Sequence, residues 1–236
     1  MKKLFKILLK IAGGLLILGL ITFGMLYAVY NKAHPEGKSG EQADALAHKM
    51  LKAVNYQAYK NTRYFEWSFA GGAHRYKWDK ENGKVKVQWD DYTVDLNLND
   101  TSKSIVNKSN ETLSAKESRD LAIKAWDYFN NDSFWLVAPF KIFDQGTSRS
   151  IVKLEDNSDG LLVTYASGGT TPGDSYLWRL QPSGFPESYQ MWVRVIPIGG
   201  IAASWEDWQI MESGVFLPTT HKLGPITFSM GEVKAY

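Results

Sequence analysis

The chain has 236 residues and a mass of 26.6 kDa, room for one domain with an appendage and too little for a large multidomain enzyme. Hydrophobic residues at 44% and charged ones at 22% exclude a disordered or fibrous chain, and 9 Trp, 12 Tyr and 11 Phe favour strands over a helical bundle. The absence of cysteine excludes disulfides, thiolate metal sites, a cysteine nucleophile and a lipid-modified N-terminal cysteine.

Residues 11–30 (IAGGLLILGLITFGMLYAVY) run for twenty positions without a charge. At about 1.5 Å per helical residue that length crosses a ~30 Å hydrocarbon core. Lys2, Lys3, Lys6 and Lys10 precede the run, so the positive-inside rule keeps the N-terminus in the cytoplasm and puts the body outside. A cleaved signal peptide shares the basic start, but its apolar region is about 7–15 residues long and ends in small residues, whereas LYAVYN at 26–31 is bulky. The expectation is therefore an uncleaved single-pass anchor over 1–30. Five bases precede Glu36, so the other 22 of the 27 Lys and Arg meet all 25 acids, a balance that excludes a nucleic-acid partner. Residues 31–40 (NKAHPEGKSG) read as a linker, and 41–236 as one domain.

Ser39 stands as a candidate N-cap, and Ala43, Leu46, Ala47, Met50, Leu51 and Val54 form an apolar stripe that predicts a helix over 41–60. The period then becomes two: Phe65, Trp67 and Phe69, then Tyr76 and Trp78, then Val85, Val87 and Trp89, then Val94, Leu96 and Leu98 alternate with polar neighbours. With turn chemistry at 71–72, 81–83 and 90–91, residues 62–98 predict a four-stranded antiparallel meander. Ser114 and Glu117 have capping-box spacing, and Leu121, Ala122, Ala125, Trp126 and Phe129 give the helix they open an apolar face. The run FWLVAPF at 134–140 does not alternate, and Pro139 should stop any helix there. Strands resume at about 149–155, 161–167, 175–181, 187–195, 201–211, 215–222 and 226–230. The expected fold is α+β and mainly antiparallel: about 11 strands in one large sheet that curls into a half-open barrel, with the helical insertion over its concave face.

That order of elements resembles the LolA/LolB-like lipoprotein carrier superfamily, and SFWLVAPFKIFDQG (133–146), LLVTYASGGTTPGDSY (161–176) and SWEDW (204–208) look like membrane-anchored bacterial envelope proteins of that fold. The resemblance implies an apolar cavity that shelters acyl chains, with a lipid or acylated protein as partner, at the bacterial inner membrane with the body in the periplasm. Two features depart from the carriers: an anchor expected to stay uncut and no cysteine to be lipidated, so the expectation is a chain that receives, holds or senses a lipid and does not ferry it alone.

On that reading Phe65, Trp67, Phe69, Tyr76, Trp78, Val85, Val87 and Trp89 line the cavity, and Trp126, Phe134, Trp135, Leu136 and Phe140 form its lid. Arg63 continues the same face toward a headgroup. A filled core is the competing account of these aromatics, with an envelope scaffold or sensor as its function; an enzyme acting on a hydrophobic substrate is a further alternative. No catalytic residue, cofactor or metal is expected: Glu206 and Asp207, adjacent on an expected strand, point to opposite faces, and His34, His48, His74 and His221 have no ligand spacing. The stretch 168–173 (GGTTPG) lacks the Lys and helix of a phosphate loop and reads as a hairpin turn. Sequons at Asn99, Asn107, Asn110 and Asn131 matter only in a host that glycosylates secreted proteins.

Overall fold

The computed structural model describes residues 2–109 and 111–236; Met1 and the sequon at Asn110 lie outside the described residues. The chain begins with α1 (Lys2–Tyr30), α2 (Glu41–Ala53) and α3 (Tyr56–Asn61), then β1 (Tyr64–Phe69), β2 (His74–Asp79), β3 (Lys84–Trp89), β4 (Tyr92–Asn97) and β5 (Ile105–Lys108), then α4 (Ala115–Val137). The second run is β6 (Thr147–Lys153), β7 (Asp159–Tyr165), β8 (Ser175–Leu180), β9 (Pro186–Trp192), β10 (Ile201–Ser204), β11 (Gln209–Ile210), β12 (Phe216–Leu217), β13 (Thr220–Leu223), β14 (Ile226–Ser229) and β15 (Lys234–Ala235).

The fold is α+β and mainly antiparallel, with one N-terminal apolar helix whose large side chains lie exposed. The strands form two principal sheets instead of one: six in the order β15-β1-β2-β3-β4-β5 and seven in the order β14-β13-β10-β9-β8-β7-β6, with β11 and β12 paired apart. Among the described residues they do not close into a barrel. A seam joins them, because Ser68 N donates to Met230 O (2.9 Å) and Met230 N to Thr219 O (2.9 Å).

Fifteen strands replace the expected 11, because two expected strands break and two edge strands are added. The expected strand 201–211 breaks where Asp207 takes a left-handed φ of 50°, a strained setting for a residue with a Cβ. The next breaks at Pro218, which cannot donate to a ladder. β5 and the short β15 add edges that no alternation announces.

The capping box forms as expected: Glu117 N donates to Ser114 Oγ (3.2 Å) and Ser114 N to Glu117 Oε2 (2.8 Å). The helix runs on to Val137, and Pro139 sits in the 3-10 turn Ala138–Phe140 that follows it. The expected helix over 41–60 is instead two. Asn55, left-handed at φ 59°, breaks it and caps α3 by accepting from Ala58 N (3.3 Å). Gly40, not Ser39, precedes α2.

Core packing follows the alternation. Phe65, Trp67, Tyr76, Val85, Val87 and Trp89 are buried under Ala125 and Phe129 of α4. Leu161, Val163, Tyr176, Trp178, Tyr189 and Met191 are buried under Ala47, Met50 and Leu51 of α2 and Ala138. Each fully buried side chain of this size contributes about 1.5–3 kcal/mol. Residues 31–40 are docked rather than free: Trp192 Nε1 donates to Lys32 O (2.9 Å), and Lys38 pairs antiparallel with Ile151 of β6.

Candidate binding cleft

A cleft of about 610 Å³ lies beside α4 and over the second sheet. α4 contributes Trp126, Asn130, Phe134 and Trp135, while the strands contribute Tyr165, Tyr176, Tyr189, Met191 and Val193. Its rim is built from loop 166–174 and from Val195 and Ile196 of the β9–β10 loop. The aromatic wall is continuous: Phe134 meets Tyr176 (4.7 Å between ring centres) and Tyr165 (5.5 Å), and Trp135 meets Tyr189 (5.7 Å).

Three polar atoms on residues that line the cleft are buried without a hydrogen-bond partner among the described residues, the Tyr165 hydroxyl, Asn130 Nδ2 and Trp78 Nε1. Leaving such a group unpaired costs about 1–3 kcal/mol. All three are donors in this setting. Burial above all, then Tyr176 and Asp144, pushes the Tyr165 phenol well above its ordinary pKa and keeps it protonated. Asn130 lies one helical turn before Phe134, the residue that touches Tyr165. Of the polar groups at the rim, Asp174 accepts from Thr171 Oγ1 (2.5 Å) and Arg194 N (3.0 Å), and Lys141 is bridged to Asp144.

The residues expected to line a cavity are divided by the structure. Phe65, Trp67, Tyr76, Val85, Val87 and Trp89 sit in the closed layer between the first sheet and α4, where Trp67 stacks on Tyr76 (4.6 Å). Phe69 is half-buried against Phe228 (5.4 Å), and only Trp78 of the eight reaches the cleft. Among the expected lid residues Trp126, Phe134 and Trp135 line it, whereas Leu136 and Phe140 are core, Phe140 stacking on Tyr59 (4.2 Å). Arg63 meets no cleft: Asp79 holds it (Nε–Oδ1 3.2 Å, Nη2–Oδ2 3.0 Å) on the far side of the first sheet, and that contact chiefly draws the Asp79 carboxyl down to about 2.

A polar cluster beside the cleft was not expected. Asp132, 1% exposed, accepts from the Tyr76 hydroxyl (2.6 Å), lies 2.7 Å from His74 Nδ1 and accepts from Asn131 Nδ2 (2.8 Å). Its signal is in the sequence, because Ala125, Phe129, Asp132 and Leu136 continue one helical stripe, and a carboxylate on such a stripe needs buried partners. Tyr165 and Tyr176 carry the same kind of signal, since they alternate in register with Val163 and Trp178.

The remaining histidines are dispersed: His34 against Trp192, His48 stacked on Phe143 (4.6 Å), and His221 buried beside Trp205. Among the described residues no group of three or more metal-ligating side chains forms. Glu206 pairs with Lys222 (2.8 Å). No family model, curated protein or solved structure matches the chain.

Proposed function

We propose that this is a membrane-anchored extracytoplasmic protein that holds a lipid or acyl chain, free or on a lipoprotein, in the cleft between α4 and the second sheet. The observation that carries the reading is the set of unpartnered donors, Tyr165, Asn130 and Trp78, in a cleft walled by aromatic and aliphatic side chains with polar groups at its rim. A ligand complementary to it has one acceptor group, a carboxylate or ester carbonyl, and an apolar tail. A volume of about 610 Å³ is in the ~300–1,000 Å³ range of small-molecule sites. Each buried methylene is worth ~0.8 kcal/mol, so ten of them supply up to about 8 kcal/mol before ordering costs.

Membership of the LolA/LolB-like superfamily belongs to the same proposal. It is supported by a helix leading into a meander, a helical insertion, and a cleft between that insertion and a sheet. In this reading Lys3, Lys6 and Lys10 keep the N-terminus in the cytoplasm of a bacterium, and the body stands in the periplasm. The closed layer over the first sheet favours a second reading, a scaffold with no small ligand.

The test is a titration of the detergent-extracted full chain with fluorescent fatty acids of increasing length. Affinity should rise with chain length, and Tyr165→Phe combined with Asn130→Leu should weaken binding several-fold while leaving the melting temperature unchanged or higher. A folded protein without saturable binding at any length leaves the scaffold reading in its place.

A further inference from the structure

The mouth of the cleft and the exit of the anchor share one loop. Tyr30 ends α1, and the next two residues are fixed to the β9–β10 loop: Gly199 N donates to Asn31 Oδ1 (2.8 Å), Lys32 N to Gly199 O (2.9 Å) and Trp192 Nε1 to Lys32 O (2.9 Å). Twenty uncharged residues, at about 1.5 Å each, consume the ~30 Å hydrocarbon thickness, so Tyr30 emerges at headgroup level. A loop bonded to Asn31 and Lys32 lies at that level too. Antiparallel register extends the argument along the sheet. Ser175 pairs with Trp192, and Ala203 with Leu223, so loop 166–174, loop 193–200 and the turn 224–225 project from one end.

The side chains at this end suit a lipid surface. Val195 is 72% exposed and Ile226 60%, with Pro197 and Pro225 exposed beside them. Residues 166–173, 193–200 and 224–226 contain no acid; of the acids at this end, Asp174 is buried and Asp144, just before β6, is bridged to Lys141, while Lys32 and Arg194 are exposed bases. Tyr27, Tyr30 and Trp192 supply amphipathic rings at the height where membrane proteins concentrate them. Single exposed aliphatic residues are ordinary on a soluble surface. Here the chain's own tether is bonded to the loop that carries Val195, which brings a bilayer to this end of the sheet and selects it as the occupant.

We propose that this end of the second sheet rests on the outer face of the membrane that α1 spans, with Val195 and Ile226 at the acyl boundary and Lys32 and Arg194 among anionic headgroups, so that the cleft opens into the bilayer. The inference rests on the anchor reading and not on what the cleft holds.

The absence of cysteine makes single-cysteine variants of the full chain a clean test. Leu16→Cys in α1, Val195→Cys, Ile226→Cys and Ser183→Cys are labelled with an environment-sensitive fluorophore and reconstituted in vesicles of phosphatidylethanolamine and phosphatidylglycerol, with and without nitroxide-bearing lipid. Ser183 lies on the β8–β9 turn at the opposite end of the same sheet. Labels at 16, 195 and 226 should shift to the blue and lose emission to the nitroxide lipid, while the label at 183 keeps its aqueous spectrum. Aqueous spectra at 195 and 226 with quenching at 16 overturn the surface contact and leave the anchor intact. An aqueous spectrum at 16 removes the anchor reading itself, and with it this inference.

Discussion

Asp132 shows how one side chain ties two elements together. Its carboxylate is buried on α4 and receives the Tyr76 hydroxyl from β2 at 2.6 Å. Asp132→Ala should destabilise the fold by about 1–3 kcal/mol or more, because it leaves the buried Tyr76 hydroxyl without its acceptor. Tyr76→Phe, which removes a single hydrogen bond to a charged group, should cost about 1.5–3 kcal/mol. Urea midpoints with an unchanged slope would measure both. His221 works through pH. It is 0% exposed, its Nδ1–H donates to Ser204 O (2.9 Å), and burial is the main cause that lowers its pKa from 6.5 to about 4. Between those values the unfolded chain binds a proton that the folded one refuses, so stability falls as pH drops from 6.5 toward 4, by about 3 kcal/mol in all. His221→Phe, retaining the contacts with Trp205 and Phe228, should flatten that part of the stability profile. An unchanged slope would assign the acid sensitivity to another group.

At the scale of elements, the docked segment 31–40 depends on close approaches that only glycine permits. A Cβ on Gly199 would stand 2.9 Å from Lys32 O and 2.6 Å from Trp192 Cδ1. Gly199→Val should therefore push the segment off the sheet and open Lys32 and Lys38 to trypsin while the body stays folded, a result that limited proteolysis reads directly. The four strands of the meander and the start of α4 were legible beforehand because their determinants are local: strict alternation, short turns and a reciprocal cap. Asn55 was not, since a left-handed residue in a helical pattern is selected by its bond from Nδ2 to Gly214 O (2.9 Å), 159 residues away. The split of the strand at Asp207 and the edge strand β15 are likewise set by partners distant in sequence.

For the whole molecule, the four lysines ahead of one apolar helix predict a fixed orientation. Protease added to spheroplasts should digest the body and spare α1, and a protected body would reverse the proposed topology. Replacing Lys2, Lys3, Lys6 and Lys10 together by Glu should raise the protected fraction.

The sequence by itself determined the apolar helix, the antiparallel α+β class and which face of each strand is apolar, because hydropathy and period act over a few residues. Only the tertiary structure decided which of the apolar faces are closed. Alternation marks Trp67 and Tyr165 alike as inward, yet Trp67 is covered by Phe129 of α4 and Tyr165 borders the cleft. The difference lies in how far α4 and α2 reach over each sheet. That reach follows from helix length, the break at Asn55 and the anchoring of Asp132, none of which a strand's own residues encode.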